Sequence, residues 1–514
     1  MSSQSQSVET WNISVARRFF TTATVAIGSV ATILTATIMN VAIPDVMGAF
    51  GIGQDKAQWV STAFLAATTC AMLATDWSVR RFGARTTYIG AMLFFILGSL
   101  ISGTAETFDM LVFGRVMQGV SGGLAQPLAM MTMFQIYPPN ERGKAMGIFG
   151  LVIILAPAVG PYFGGLTVDA FGWRQIFFLP VPVAVLSLLL ASVFLQSRNR
   201  TEQVPSFDWA GFGLLVIFIL SLLIALTNGT ADGWLSTQII LLLATSGIAF
   251  AGFVYWQLRT LHPLLDVKIF ANTRFTAAAI VSFVYGVAIF GSIYLVPLFV
   301  QIIQGYTATR SGLLQFPAGI AMFILIPIVG RLTDRGGEIW LTVLGLIFTA
   351  YGTSLMIEAD TNTSFWLFAI WMIVSRIGLA IIFPPLSAAS LRVLTPDMIG
   401  QASGTMNFVR TMGGAFGVNV SAIYVENRAA SYREALTANQ HDGNAMMLET
   451  IDRLRYLWSS LGIPNGLDNS FSQLYIGQAI TRQADMLALR DGFLLLTIIT
   501  AAAIPAAIYM RKQT

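Results

Sequence analysis

Fourteen stretches of this 514-residue chain are long and apolar enough to cross a lipid bilayer, and that constrains the fold more than any other feature. They lie near 19–43, 58–78, 87–105, 109–134, 144–167, 175–195, 208–227, 237–257, 275–299, 310–331, 339–357, 365–390, 400–424 and 491–510. A helix spanning about 30 Å of hydrocarbon needs about 20 mostly apolar residues. Hydrocarbon cannot hydrogen-bond a bare backbone, so only helices and closed barrels cross it. Barrel strands are about half this length and alternate in polarity, which these runs do not. The chain therefore reads as an all-α integral membrane protein. Its charged fraction of 11% agrees, since a soluble domain carries roughly 25%. Glycines and prolines inside many runs would break helices in water, but in a bundle they allow close approach and local unwinding.

Loop charge orients the runs. With the N-terminus in the cytoplasm, seventeen Lys and Arg fall in the short inner connections and at the two termini, among them Arg80, Arg81, Arg85, Arg331, Arg335 and Arg392. Only Lys56, Arg174 and Arg310 fall in the short outer ones. That positive-inside bias predicts two cytoplasmic termini. It also accounts for the net charge of +4 as topology, so no nucleic-acid partner is expected. Residues 1–16 are polar and Arg17-Arg18 leads directly into a run of full membrane length, so no cleavable leader is expected. The one cysteine, Cys70, excludes an intrachain disulfide framework.

The runs repeat. DWSVRRFGAR (76–85) follows run 2, and GRLTDRGGE (330–338) follows run 10. Run 4 carries RVMQGVSGG (115–123) and run 12 RIGLA (376–380); run 5 carries APAVGPYFGG (156–165) and run 13 RTMGGAFG (410–417). The same order suggests two six-helix halves, spans 1–6 (residues 1–200) and 9–14 (263–514), with spans 7 and 8 (201–262) inserted. Repeated halves around a mid-depth site are the architecture of secondary transporters. The connection 426–490, expected outside, mixes helix-like stretches with the breakers Gly462, Pro464 and Gly466, and its spacing predicts short helices on the outer surface. It reads either as a docking surface for another protein or as a structural cap.

These motifs, together with GWRQIFF (172–178), HPLLDVKIF (262–270), YLVPLFVQIIQGYTATRSGLLQFPAG (294–319) and GQASGTMNFVRTMGGAFG (400–417), resemble the major facilitator superfamily. Within it they resemble the fourteen-helix drug:proton antiporters of the EmrB/QacA type, and QAITRQADMLALRDGF (478–493) is similar to the EmrB branch. The resemblance covers nearly the whole chain. It implies a bacterial inner-membrane exporter that uses the proton motive force and no cofactor or metal. It also implies a small-molecule substrate, a surround of lipid, a periplasmic adaptor protein and an outer-membrane channel.

Candidate site residues follow. An arginine inside a span must face the protein interior or a wet cavity; the resemblance assigns Arg115, with Gln118, to proton coupling, the alternative being a structurally paired or snorkelling arginine. Arg376 and Arg410 invite the same two readings. In run 5, Gly160, Gly164 and Gly165 permit close packing and Pro157 and Pro161 break the backbone ladder; the resemblance makes this the antiporter gate, and a kinked, tightly packed helix is nearly the same reading. The inner latch is Asp76, Arg81, Gly83 and Arg85, with Asp334 and Arg335 in the second copy. The family pattern has Gly where Asp76 stands and Asp where Arg80 stands. In run 1 the family carries an aspartate where this chain has Thr35, while Thr37, Asn40 and Pro44 match.

No acid falls deep in a run. Two readings of the cargo follow: a multidrug exporter of small amphipathic compounds, or a dedicated exporter of a neutral or anionic metabolite, such as a weak acid or a siderophore. An enzyme would need a metal or nucleophile cluster inside the spans, where this chain has neither histidine nor acid. A non-transporting receptor or scaffold using 426–490 is the remaining alternative.

Overall fold

The computed structural model describes residues 14–137, 159–197, 206–261, 263–333, 338–392, 399–438, 445–460 and 468–510. Helix α1 (Val15–Ile38) runs through a 3-10 turn (Met39–Ala42) into a short helix, Ile43–Phe50. Then come α2 (Trp59–Phe82), α3 (Ala84–Gly103), α4 (Phe108–Ile136), α5 (159–171) and α6 (Val181–Phe194). Next are α7 (Trp209–Asp232), α8 (Thr237–Arg259), α9 (Thr273–Leu298), α10 (Ala308–Thr333), α11 (Glu338–Leu355) and α12 (Phe365–Arg392). The last four are α13 (Ile399–Ala438), α14 (Ala445–Ser460), α15 (Asp468–Ala502) and α16 (Ile504–Tyr509).

The described part of every apolar run is largely helical, and ten of the described segments have the length and hydropathy of a membrane span. Helices α2, α4 and α13 are not among the ten. They face other helices more than lipid and so carry threonine, glycine and arginine. Thr68 Oγ1 of α2 donates to the Gly119 carbonyl of α4 at 3.1 Å, and Thr75 Oγ1 to that of Gly123 at 3.0 Å. A Cβ at Gly119 would overlap the carbonyl of Phe64, so glycine is what allows the two backbones to touch.

The repeat read from the motifs is present in the packing. α2 packs on α4 as α10 packs on α12, α3 on α4 as α11 on α12, α1 on α4 as α9 on α12, and α3 on α6 as α11 on α15. Two seams join the halves, α5 against α10 and α2 against α13, and the repeat exchanges one for the other. The inserted α7 and α8 pack on each other, and α7 packs against the α2/α13 seam, where its Leu215, Ile219 and Leu223 meet Ala66 and Phe408.

The 426–490 region differs from expectation. It is not a set of short surface helices: α13 continues without a break to Ala438, and α15 begins at Asp468, well before its apolar run. Only α14 is separate. Arg428 holds Asp491 at 2.6 Å, Arg433 holds Asp485 at 3.0 Å, and Tyr432 donates to Asp491 at 2.9 Å, so the two projecting helices are tied side by side. A hydropathy ruler stops where lipid stops, whereas a helix leaving the bilayer needs only backbone hydrogen bonds and a partner.

A cavity lined by two arginines

Between the halves lies a cavity of about 160 Å³. Ile33, Thr37, Phe64, Leu65, Thr68 and Gln126 line one side, from α1, α2 and α4. Tyr285, Phe290, Gln315, Arg376, Phe383 and Arg410 are on the other, from α9, α10, α12 and α13. Arg376 is 6% exposed and its Nη1 has no hydrogen-bond partner. Arg410 donates from Nη2 to Asn407 Oδ1 at 2.5 Å, and its guanidinium lies 5.1 Å from the centre of the Phe383 ring. Among the described residues no Asp or Glu lines this cavity and none is buried.

The other sequence candidates lie beside the cavity rather than in its wall. Arg115 is fully buried behind Phe64, its guanidinium 4.5 Å from that ring. Its Nε donates to the Val60 carbonyl at 2.8 Å, and its Nη1 to the Thr35 carbonyl at 3.3 Å and to Gln118 Oε1 at 2.9 Å. Gln118 Nε2 donates on to Ser99 Oγ at 2.8 Å, so the Arg115–Gln118 pair links α1, α2, α3 and α4. Thr35 turns its hydroxyl back to the Ala31 carbonyl, and Asn40 accepts from Ser61 at 2.7 Å. Four of the six named cavity residues thus form a polar cluster next to the cavity, and Arg376 and Arg410 line it.

The run-5 glycines lie at a seam. A Cβ at Gly160 would stand 2.7 Å from Thr37 Oγ1, and one at Gly164 would overlap Ile38, so α5 is pressed on α1. Gly165 faces the Ala308 backbone, and Gly312 faces the Pro161 carbonyl, each without room for a Cβ. Asp169, which the motif reading passed over, accepts from the Ala308 and Thr309 amides at 3.1 and 2.7 Å. It is an N-cap supplied to α10 by the other half. Part-burial pushes its carboxyl up, but hydrogen bonds from Thr309, Thr307 and Ala308 outweigh that and hold it below the usual range. Gln301 Nε2 crosses to the Val41 carbonyl at 2.9 Å at the same end. The end of the bundle named outer by loop charge is closed.

At the other end Asp76 pairs with Arg80 at 2.9 Å, both more than half exposed. Gly83, at φ +85°, turns the chain between α2 and α3 in a conformation that disfavours a side chain. Arg81 is exposed and Arg85 half-buried. Pro157, Asp334 and Arg335 lie outside the described residues.

Helices in two equivalently packed sets around one central cavity form the arrangement of a multi-pass membrane transporter. The chain belongs to the major facilitator superfamily, whose family model matches residues 25–418. Its relatives are of the EmrB type. Multidrug export protein EmrB of Escherichia coli (strain K12) is 30% identical over 467 residues, 90% of this chain and 89% of that one. An uncharacterized MFS-type transporter, YhcA of Bacillus subtilis (strain 168), is 28% identical over 93% of this chain and 90% of its own length. Among solved structures, a bacterial homolog of the human lysosomal transporter Spinster, inward-facing and occupied, superposes with a TM-score of 0.61 at 15% identity, covering 97% of each chain. At that identity the likeness carries the fold alone. The protein is a transporter and not an enzyme.

Proposed function

We propose that this protein is a secondary active exporter of small amphipathic compounds, working by alternating access as a proton-coupled antiporter. Fourteen helices cross the bacterial inner membrane in this reading, with both termini cytoplasmic. The observation that carries it is the central cavity, apolar over much of its wall, closed at the outer end by the α5/α10 seam. A name among its relatives, multidrug export protein, points the same way. The energy source is the proton motive force, and no cofactor takes part.

Reconstitution of the whole chain in proteoliposomes tests this. Accumulation of several unrelated amphipathic dyes should follow an imposed pH gradient and collapse with a protonophore. Accumulation that persists unchanged with the protonophore present would remove the proton from the scheme. Export of one metabolite and none of the dyes would favour the dedicated exporter, a reading supported by the absence of acids among the described lining residues. A periplasmic adaptor and an outer-membrane channel are the partners that go with the EmrB-type reading. The projecting α13–α15 helices, with Tyr456, Leu474 and Tyr475 exposed, are the surface we assign to the adaptor.

A further inference from the structure

We propose that the cavity selects organic anions: an amphipathic monoanion whose carboxylate or sulfonate head is held by Arg376 and Arg410 while its apolar body lies on the facing wall. The proposal rests on the export reading and names the cargo of that site. Its ground is an imbalance of charge. Two arginines line one buried cavity, and among the described residues no carboxylate lines it or is buried anywhere in the chain. A membrane-buried guanidinium ordinarily has a partner. Arg115 has three, the Val60 and Thr35 carbonyls and Gln118, with its Nη2 left over. Arg376 has Nη1 unpartnered, and the Nε2 of Gln315, on the same wall, also lacks an acceptor. Two lining residues thus each keep a buried donor without an acceptor, and an anionic oxygen pair is what a guanidinium fork fits best.

The cavity is also polarised. Both arginines belong to the second half, on α12 and α13, and Tyr285 and Gln315 add neutral polar groups to that wall. The first half offers Ile33, Ala36, Phe64 and Leu65 beside the uncharged polar groups of Thr37, Thr68 and Gln126, so the fixed positive charge is all on one side. A head on one half and a body on the other lets the halves rock without breaking the charged contact. An organic cation would meet two fixed positive charges and find no described carboxylate to answer them.

The experiment uses the full chain in lipid nanodiscs and three probes on one naphthyl scaffold, ending in a carboxylate, a carboxamide or a trimethylammonium group. Binding of the carboxylate should exceed that of the amide by roughly tenfold or more, with the ammonium weakest. Arg376→Gln and Arg410→Gln should each weaken the carboxylate by about tenfold and leave the amide unchanged. Arg376→Lys and Arg410→Lys, which keep the charge, should recover part of the loss; they also carry the test if a glutamine variant does not fold. Equal binding of ammonium and carboxylate, or glutamine variants that weaken all three alike, would overturn the proposal. In proteoliposomes, selective binding without transport would instead overturn the export reading and leave the anion site standing.

Discussion

Arg115 and Arg376 are both buried arginines inside helices, yet their surroundings assign them opposite work. Arg115 spends its donors on the Val60 and Thr35 carbonyls and Gln118, tying together helices that must stay together. Removing it strands buried acceptors, so Arg115→Ala should cost about 3 kcal/mol of stability, seen as an early thermal transition in detergent. Arg376→Gln should leave that transition nearly unmoved; equal losses would mean both arginines are structural. Thr35→Asp is a second test at this scale. Because Thr35 does not line the cavity, a carboxylate there should give no gain of efflux for a cationic dye. Gain of such efflux would mean position 35 reaches the substrate path. The sequence made these residues conspicuous as polar groups in apolar runs but could not assign their side. Positions 35 and 37 are about 200° apart on a helix, so one threonine faces the cavity and the other turns away. In a span with lipid on one face and apolar protein on the other, no polarity pattern reports that difference; Ile370 faces outward and Phe383 the cavity on the same helix.

At the scale of elements, the end of α5 and the start of α10 form a latch. Asp169 caps a helix that belongs to the other half, an interaction worth about 1 kcal/mol. Its carboxyl is held below its ordinary value when latched. The stabilisation is therefore full above that ordinary value and fades only as pH falls through the lowered one. The outer end should stay closed and insensitive to pH between about 5 and 8, while Asp169→Ala, which removes the acceptor, should shift it toward open at every pH in that range. Distances between spin labels at the outer ends of α5 and α10 would report both, and opening of the unmutated protein within that window would rule out this cap as the closing element. The described apolar helices were legible from run length. The extensions of α13 and α15 were not, because outside lipid the pairs Arg428–Asp491 and Arg433–Asp485 hold those helices together, and partners distant in sequence leave no local trace.

Over the whole molecule, the α5/α10 seam has no clearance. Gly165 meets Ala308 and Gly312 meets Pro161 at backbone distance. Gly312→Val should hold the outer end open and abolish net transport while leaving probe binding in the cavity within about twofold; a fully active valine variant would mean the seam does not close in the cycle. The other seam, α2/α13, is flanked by the inserted α7, so the two are equivalent by repeat but not by surroundings. The glycine seam also has an evolutionary consequence. A lineage acquiring a new cargo can alter wall residues such as Phe290, Met322 and Phe383, which border open space, one at a time and without disturbing the joint. Gly165 and Gly312 offer no such intermediate steps. Change in what is carried and preservation of how it is carried are thus assigned to separate sets of positions, and adaptive variation should accumulate in the first and be purged from the second.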